Sequence, residues 1–180
     1  MEVRTEIAAL LNEVERDGIP ELFGYMDDGG FFTSPASTKF HNNHEGGLAD
    51  HSLAVYRQLK AYNTFLSLDL TDANIIIAAL LHDLCKMGAY IKVGSAYLFN
   101  RDMPSGHGSL SVFRAKQFIA LVPVEKALIT YHMGVWNTTE AGKYGEYSVA
   151  ELIGIWKNYP ASKFMAMSDE VATMREMKRF

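Results

Sequence analysis

Apolar residues recur at helical spacing along most of the chain. Val3, Ile7, Leu10, Leu11 and Val14 mark one face of a helix over about 2–16. Asp17-Gly18 closes it, and Pro20 opens a short second helix. Between 27 and 43 the pattern stops. Gly, Ser, Thr, Pro and Asn predominate there, and turn chemistry predicts a long loop, of the kind that often carries function. A third helix is predicted from about 48 to 65. Thr71 then reads as an N-cap, with Asn74 in the first turn and an apolar stretch through Leu81. This fourth helix carries His82 and Asp83 near its C-terminal end, and Gly88 fits its stop. Residues 89–99 alternate around Gly94-Ser95, which predicts a short hairpin. Another helix is expected from Gly106–Ser109 to about Leu121. Pro123 suits the first turn of the next, which ends near His132-Met133-Gly134. A polar loop covers 136–145, and two helices follow, at about 147–156 and from about 161 to the C-terminus. The expectation is one all-α domain over 1–180, a helical bundle that can accommodate one small β-hairpin.

A length of 180 residues suits one domain with a sizeable core. The net charge of -4 argues against a sequence-blind nucleic-acid binder. It leaves room for a small phosphorylated substrate, because a bound cation supplies local positive charge. The single cysteine, Cys85, excludes an intrachain disulfide framework. The N-terminus has no secretory pattern, and the longest apolar run, 75–81, is too short to span a bilayer. A soluble cytoplasmic protein without a membrane partner is expected. Oligomeric state is not legible.

His82-Asp83 changes the picture most. It places an imidazole and a carboxylate at the end of an apolar helix, where burying either alone is costly. A divalent cation is the partner that suits both. Further candidates are His51 near the start of the third helix, His107 and His132 at helix ends, and Asp169. Phe164, Met165, Met167 and Val171 make the helix around Asp169 otherwise apolar. Singly, each has an ordinary reading: a surface histidine, a neighbour of a helix cap, a partner of the helix dipole, a solvated carboxylate. Together, imidazole nitrogen and carboxylate oxygen suit Mn, Fe, Ni, Co or Zn better than Ca. Two such ions about 4 Å apart can share one hydroxide and clamp the oxygens of a phosphoester. Lys86, three residues beyond Asp83, can neutralise a phosphate oxygen or orient Asp83.

The order His51, then His82-Asp83, then Asp169 resembles the HD superfamily of metal-dependent phosphohydrolases. His82-Asp83-Leu84-Cys85-Lys86 matches its His-Asp-x-x-Lys form, and the resemblance covers about 32–172. Pro35-Ala36-Ser37, His41 and the run from Glu45 through Gly46-Gly47 to His51-Ser52 resemble one branch more closely. That branch includes the HD domain of bacterial 3′-to-5′ exoribonucleases and single-domain hydrolases of unassigned substrate. The resemblance implies that His51, His82, Asp83 and Asp169 hold a first metal, and that His107 and His132 add a second. Asp83 would bridge the two ions and, with Lys86, carry the catalysis. The implied reaction is hydrolysis of a phosphoester in a nucleotide-like substrate by a metal-bound hydroxide.

Candidate substrate contacts are His41, Arg101, Lys143 and Arg114, each of which also reads as a surface charge. His44 reads as structural or solvated. Trp136, Tyr144 and Tyr147 either line a base-stacking pocket or pack under the loop. Met165, Met167, Met174 and Met177 read as core or a helix-packing face. Two other functions stay open. One is a 3′-to-5′ exoribonuclease or single-strand nuclease, against which the acidic balance and the lack of a separate OB-type domain count. The other is a non-catalytic metal- or nucleotide-binding module.

Overall fold

In the computed structural model, residues 2–39, 41–104, 106–142 and 145–177 are described. Lys143 and Tyr144 lie outside them. Eight α-helices occur among the described residues: α1 Val3–Asn12, α2 Ile19–Asp28, α3 Gly47–Leu66, α4 Asp72–Leu81, α5 Gly108–Ala115, α6 Pro123–Thr130, α7 Val149–Asn158 and α8 Ala161–Met177. The fold is all-α with one small hairpin, as the hydrophobic pattern predicts. Strands β1 Tyr90–Val93 and β2 Ala96–Phe99 pair antiparallel, with Tyr90 opposite Phe99 and Val93 opposite Ala96.

The centre of the molecule is α4. Its residues from Ile75 to Leu81 are all buried, so this helix is apolar on every side and packs against α1, α3, α5 and α6. The long α3 lies between α4 and α8. Leu48, Leu53 and Leu59 of α3 meet Ile75, Ile76 and Leu80 in one core that also includes Ile7, Leu22 and Met26. Each such side chain contributes about 1.5–3 kcal/mol through burial. Thr71 starts α4 with a reciprocal cap: its hydroxyl accepts from the Asn74 amide at 3.2 Å, and the Asn74 side chain accepts from the Thr71 amide.

Some boundaries differ from expectation. The first helix stops at Asn12, because Arg16 is drawn away to α6, where it holds Glu125 with two bonds of 2.8 Å. The fifth stops at Ala115 and not near Leu121. There Gly18, at φ +86°, approaches so closely that an added Cβ would lie 1.9 Å from the Phe118 carbonyl oxygen. The helix expected to carry His82-Asp83 ends at Leu81. His82 is its C-cap, and Asp83 has left helical geometry at φ −106° before a 3₁₀ turn at Leu84–Lys86. Gly47 is required by the turn into α3, since a Cβ there would lie 2.0 Å from the Asn42 carbonyl oxygen. No described helix is long and apolar enough to cross a membrane.

Candidate metal centre

Helix ends deliver the ionisable side chains to one place. His82 caps α4, and its Nδ1–H donates to the Ala79 carbonyl at 2.8 Å. His132, two residues past α6, does the same to Ile129 at 2.7 Å. Both rings thereby satisfy a carbonyl that the helix end leaves without a partner. A carbonyl only accepts, so Nδ1 carries the proton and Nε2 is left to face inward. His51, one turn into α3, is held at Nδ1 by Glu176 of α8, at 3.1 and 3.3 Å from the two carboxylate oxygens. His107, the N-cap of α5, places Nδ1 3.3 Å from the sulfur of Cys85.

The four Nε2 atoms surround Asp83, which is 1% exposed. Its two oxygens face different pairs. Oδ2 lies 3.3 Å from His82 Nε2 and 3.8 Å from His51 Nε2. Oδ1 lies 3.0 Å from His107 Nε2 and 3.6 Å from His132 Nε2. Asp169 projects from α8 to within 3.0 Å of His51 Nε2. These approaches are short but badly aligned. Nε2 of His51, His82 and His132, with Oδ1 of Asp83, are buried and form no hydrogen bond among the described residues. Leaving four buried polar atoms unsatisfied is expensive. Atoms that converge on a common space without pointing at one another have the geometry that a cation completes. The sets His51, His82, Asp83 and His82, His132, Asp169 each bring their donor atoms within 4.8 Å of one another; so do Asp83, Cys85, His107 and His41, His51, Glu176. The centre can hold metal ions, and the donor set fits.

Electrostatics agree with a cation site. Burial raises the Asp83 carboxyl, but Lys86, whose Nζ lies 2.7 Å from Oδ2, and then His82 hold it well below the usual carboxylate range. Asp169 is likewise held low against burial by His51. Burial pulls the His51 imidazolium down, yet Asp169 and Glu176 outweigh it and place it at about 9. At His107, Cys85 and Asp83 outweigh burial and place it at about 10. His132 goes down through burial. The metal-free centre therefore holds protons where a cation would sit.

All six expected ligands meet here. Lys86 pairs with Asp83, one of the two roles expected of it, from the 3₁₀ turn and not from a helix face. His41 joins the cluster: its ring is 4.9 Å from that of His51, and its Nε2 is buried without a partner among the described residues. Burial, then the charges of His51 and Lys86, push it down to about 4. His44 is exposed beside Asp50, as a solvated residue. Arg101 is exposed and stands on a cavity wall outside the cluster. Arg114 is not a free phosphate contact, because Nη1 donates to the carbonyls of Leu84 and Met87 at 2.8 and 3.0 Å, fastening the turn that bears Lys86. Tyr147 packs under the loop, with its hydroxyl donating to Gly134, whereas Trp136 is 71% exposed. Met165 is core; Met167, Met174 and Met177 are exposed.

Sequence reasoning missed Glu176, Cys85 as a partner of His107, and Glu146. The Glu146 carboxylate accepts from the His107 amide, from Ser109 and from the Asn137 side chain at 2.8 Å, so it fixes the start of α5. A signal existed for Glu176 alone. It follows Asp169 by seven residues, two helical turns, and so shares its face.

Two cavities adjoin the centre. One, of about 390 Å³, is lined by His41, His132, Asp169 and the two tryptophans. The other, of about 1070 Å³, is lined by Cys85, Tyr90, Arg101 and Glu146. Comparison with family models, with curated proteins and with solved structures returns no match. What the fold and site define is an all-α protein with a buried His/Asp cluster able to hold metal.

Proposed function

We propose that this chain is a metal-dependent phosphohydrolase of the HD type, acting on a phosphoester of a small nucleotide-like substrate. The observation that carries the reading is the Asp83 carboxylate, with one oxygen toward His51 and His82 and the other toward His107 and His132. That division supports a site for two ions that share Asp83: His51, His82 and Asp169 would hold one, and His107 and His132 would hold the other. Divalent ions held there would supply Lewis acidity for activating water and offsetting charge on a phosphoryl group.

The chain's own residues supply the rest. Glu176, the carbonyls of Ala79 and Ile129, and Cys85 fix the four rings, so that little reorganisation accompanies ligand binding. The Lys86 ammonium lines both cavities and suits a phosphate oxygen while its bond to Asp83 keeps that carboxylate ionised. His41, neutral at pH 7, presents a ring nitrogen beside the same space. Trp136 offers an exposed face for a planar ring at the edge.

The test is a chelator-stripped protein reloaded with Mn²⁺, Co²⁺ or Zn²⁺ and offered a panel of phosphoesters. Turnover should require metal and vanish in Asp83→Ala with the helical fold retained. Stoichiometric metal binding with no turnover across the panel would replace this reading by a non-catalytic binding module.

A further inference from the structure

The two cavities share a wall: Lys86 and His107 line both. Beyond that wall they diverge into different parts of the fold. The first runs between the segment after α6 and the helices α7 and α8, over Met133, Val135, Trp136, Trp156 and Met167, a mostly apolar and aromatic surface. The indole Nε1 of Trp156 is buried there without a partner among the described residues. An indole N–H is a donor only, and a ligand acceptor would satisfy it. The second runs between the hairpin and the segment before α5, past Tyr90, Phe99, Arg101 and Asn137. Both are of the size that small-molecule sites have.

A phosphate monoester has one organic arm and would fill one of these cavities. A phosphodiester has two arms, which leave phosphorus in different directions. We propose that the substrate is a small phosphodiester. Its phosphate sits at Lys86 and His107. A planar aromatic arm lies in the first cavity, against the tryptophans, and the second arm lies in the larger cavity beside Arg101. In the reaction, a water oxygen bonds to phosphorus and one P–O ester bond breaks. The departing oxygen takes up a proton, and a monoester and an alcohol result. The net charge of -4 weighs against a long polyanionic substrate, and the proposal ends both arms within the cavities. The proposal rests on the phosphohydrolase reading and adds which ester is cleaved.

The test uses the full chain loaded with Mn²⁺. Bis(4-nitrophenyl) phosphate and 4-nitrophenyl phosphate are compared as substrates, and the expected kcat/KM is at least ten-fold higher for the diester. The chain contains two tryptophans, and both line the first cavity, so their fluorescence reports its occupancy. The diester should quench it in the metal-free protein as well, a readout independent of turnover. Arg101→Ala should raise KM for the diester by roughly ten-fold, as loss of one charge-assisted contact does, and lower the diester-to-monoester ratio. A monoester preferred over the diester overturns this proposal and leaves the phosphohydrolase reading standing. Loss of turnover on both esters removes both. A ratio unchanged in both Arg101→Ala and Trp136→Ala overturns the placement of the arms.

Discussion

Asp83→Asn separates the roles of the central carboxylate, because it removes one negative charge without changing volume. In the metal-free protein that charge faces the Lys86 ammonium at 2.7 Å, with the Lys86 side chain 13% exposed. Removing one partner of a buried ion pair costs about 3–5 kcal/mol, chiefly by stranding the other charge. Lys86 lines both cavities and can turn toward water, which sets the expected loss at the low end, about 3 kcal/mol. A domain stable by about 5–15 kcal/mol survives that. With a urea m-value of about 2 kcal/mol/M, the unfolding midpoint should fall by about 1.5 M. The pH dependence changes in a defined direction. The Asp83 carboxyl is depressed in the folded state, so its contribution is present above about pH 4 and lost as pH falls toward the folded value. The variant should lose that part of the acid limb. Metal retention should fall much further than stability, because both candidate ligand groups share this carboxylate. The assays are urea unfolding of chelator-treated protein at several pH values and elemental analysis after dialysis against Mn²⁺ or Zn²⁺. A variant that keeps its full metal content and turnover would refute the assignment of Asp83 as the shared ligand.

Three further outcomes are expected. Glu176→Gln should weaken metal binding by about 10–100-fold, as loss of a partner orienting a ligand histidine does, with helix content intact; isothermal titration of stripped protein measures it, and unchanged affinity would show that His51 needs no such support. In the metal-free centre His51 and His107 stay protonated up to about 9 and 10, above their ordinary 6.5, so metal must displace protons. Affinity should therefore rise with pH between about 6.5 and 9, by about ten-fold per pH unit for each proton displaced, and titrations in two buffers of different ionisation enthalpy should show that release; a flat profile contradicts it. Glu125→Gln removes the buried charge that faces Arg16, a group outside the ligand cluster, and should lower stability by about 3 kcal/mol while metal content stays unchanged, by thermal unfolding and elemental analysis.

Much of this molecule was legible in the sequence, for reasons that also mark where legibility stopped. Thr71 and Asn74 cap each other's backbone, three residues apart, so the start of α4 could be read locally. The apolar run 75–81 is buried on every side and needs no tertiary information to be recognised as core. Arg114 is the opposite case. Nothing near it in sequence announces that its guanidinium folds back on Leu84 and Met87, about thirty positions earlier, so an isolated reading could only rank it with other cations. Cys85 and His107 meet because α5 returns against the turn after α4, again a tertiary fact. The end of α1 was misplaced for the same reason: Val14 kept the periodicity, while Arg16 was committed to Glu125, over a hundred residues away.

The candidate metal ligands escaped that limit because of how helices end. A histidine just past an apolar helix has a carbonyl three residues back that lacks an intrahelical donor, and its Nδ1–H supplies one. His82 with Ala79 and His132 with Ile129 follow that rule, each at the same spacing. One local bond then does two things: it terminates the helix, and it fixes the tautomer whose Nε2 lone pair faces the interior. The position of the residue in the chain therefore carries its chemistry. His51 and His107 lie near helix starts, where no orphan carbonyl exists to hold Nδ1. They recruit distant partners, Glu176 and Cys85, and those were the residues that sequence reasoning missed. A ligand histidine at a helix C-terminus brings its own support, whereas one at an N-terminus requires the tertiary fold to complete it.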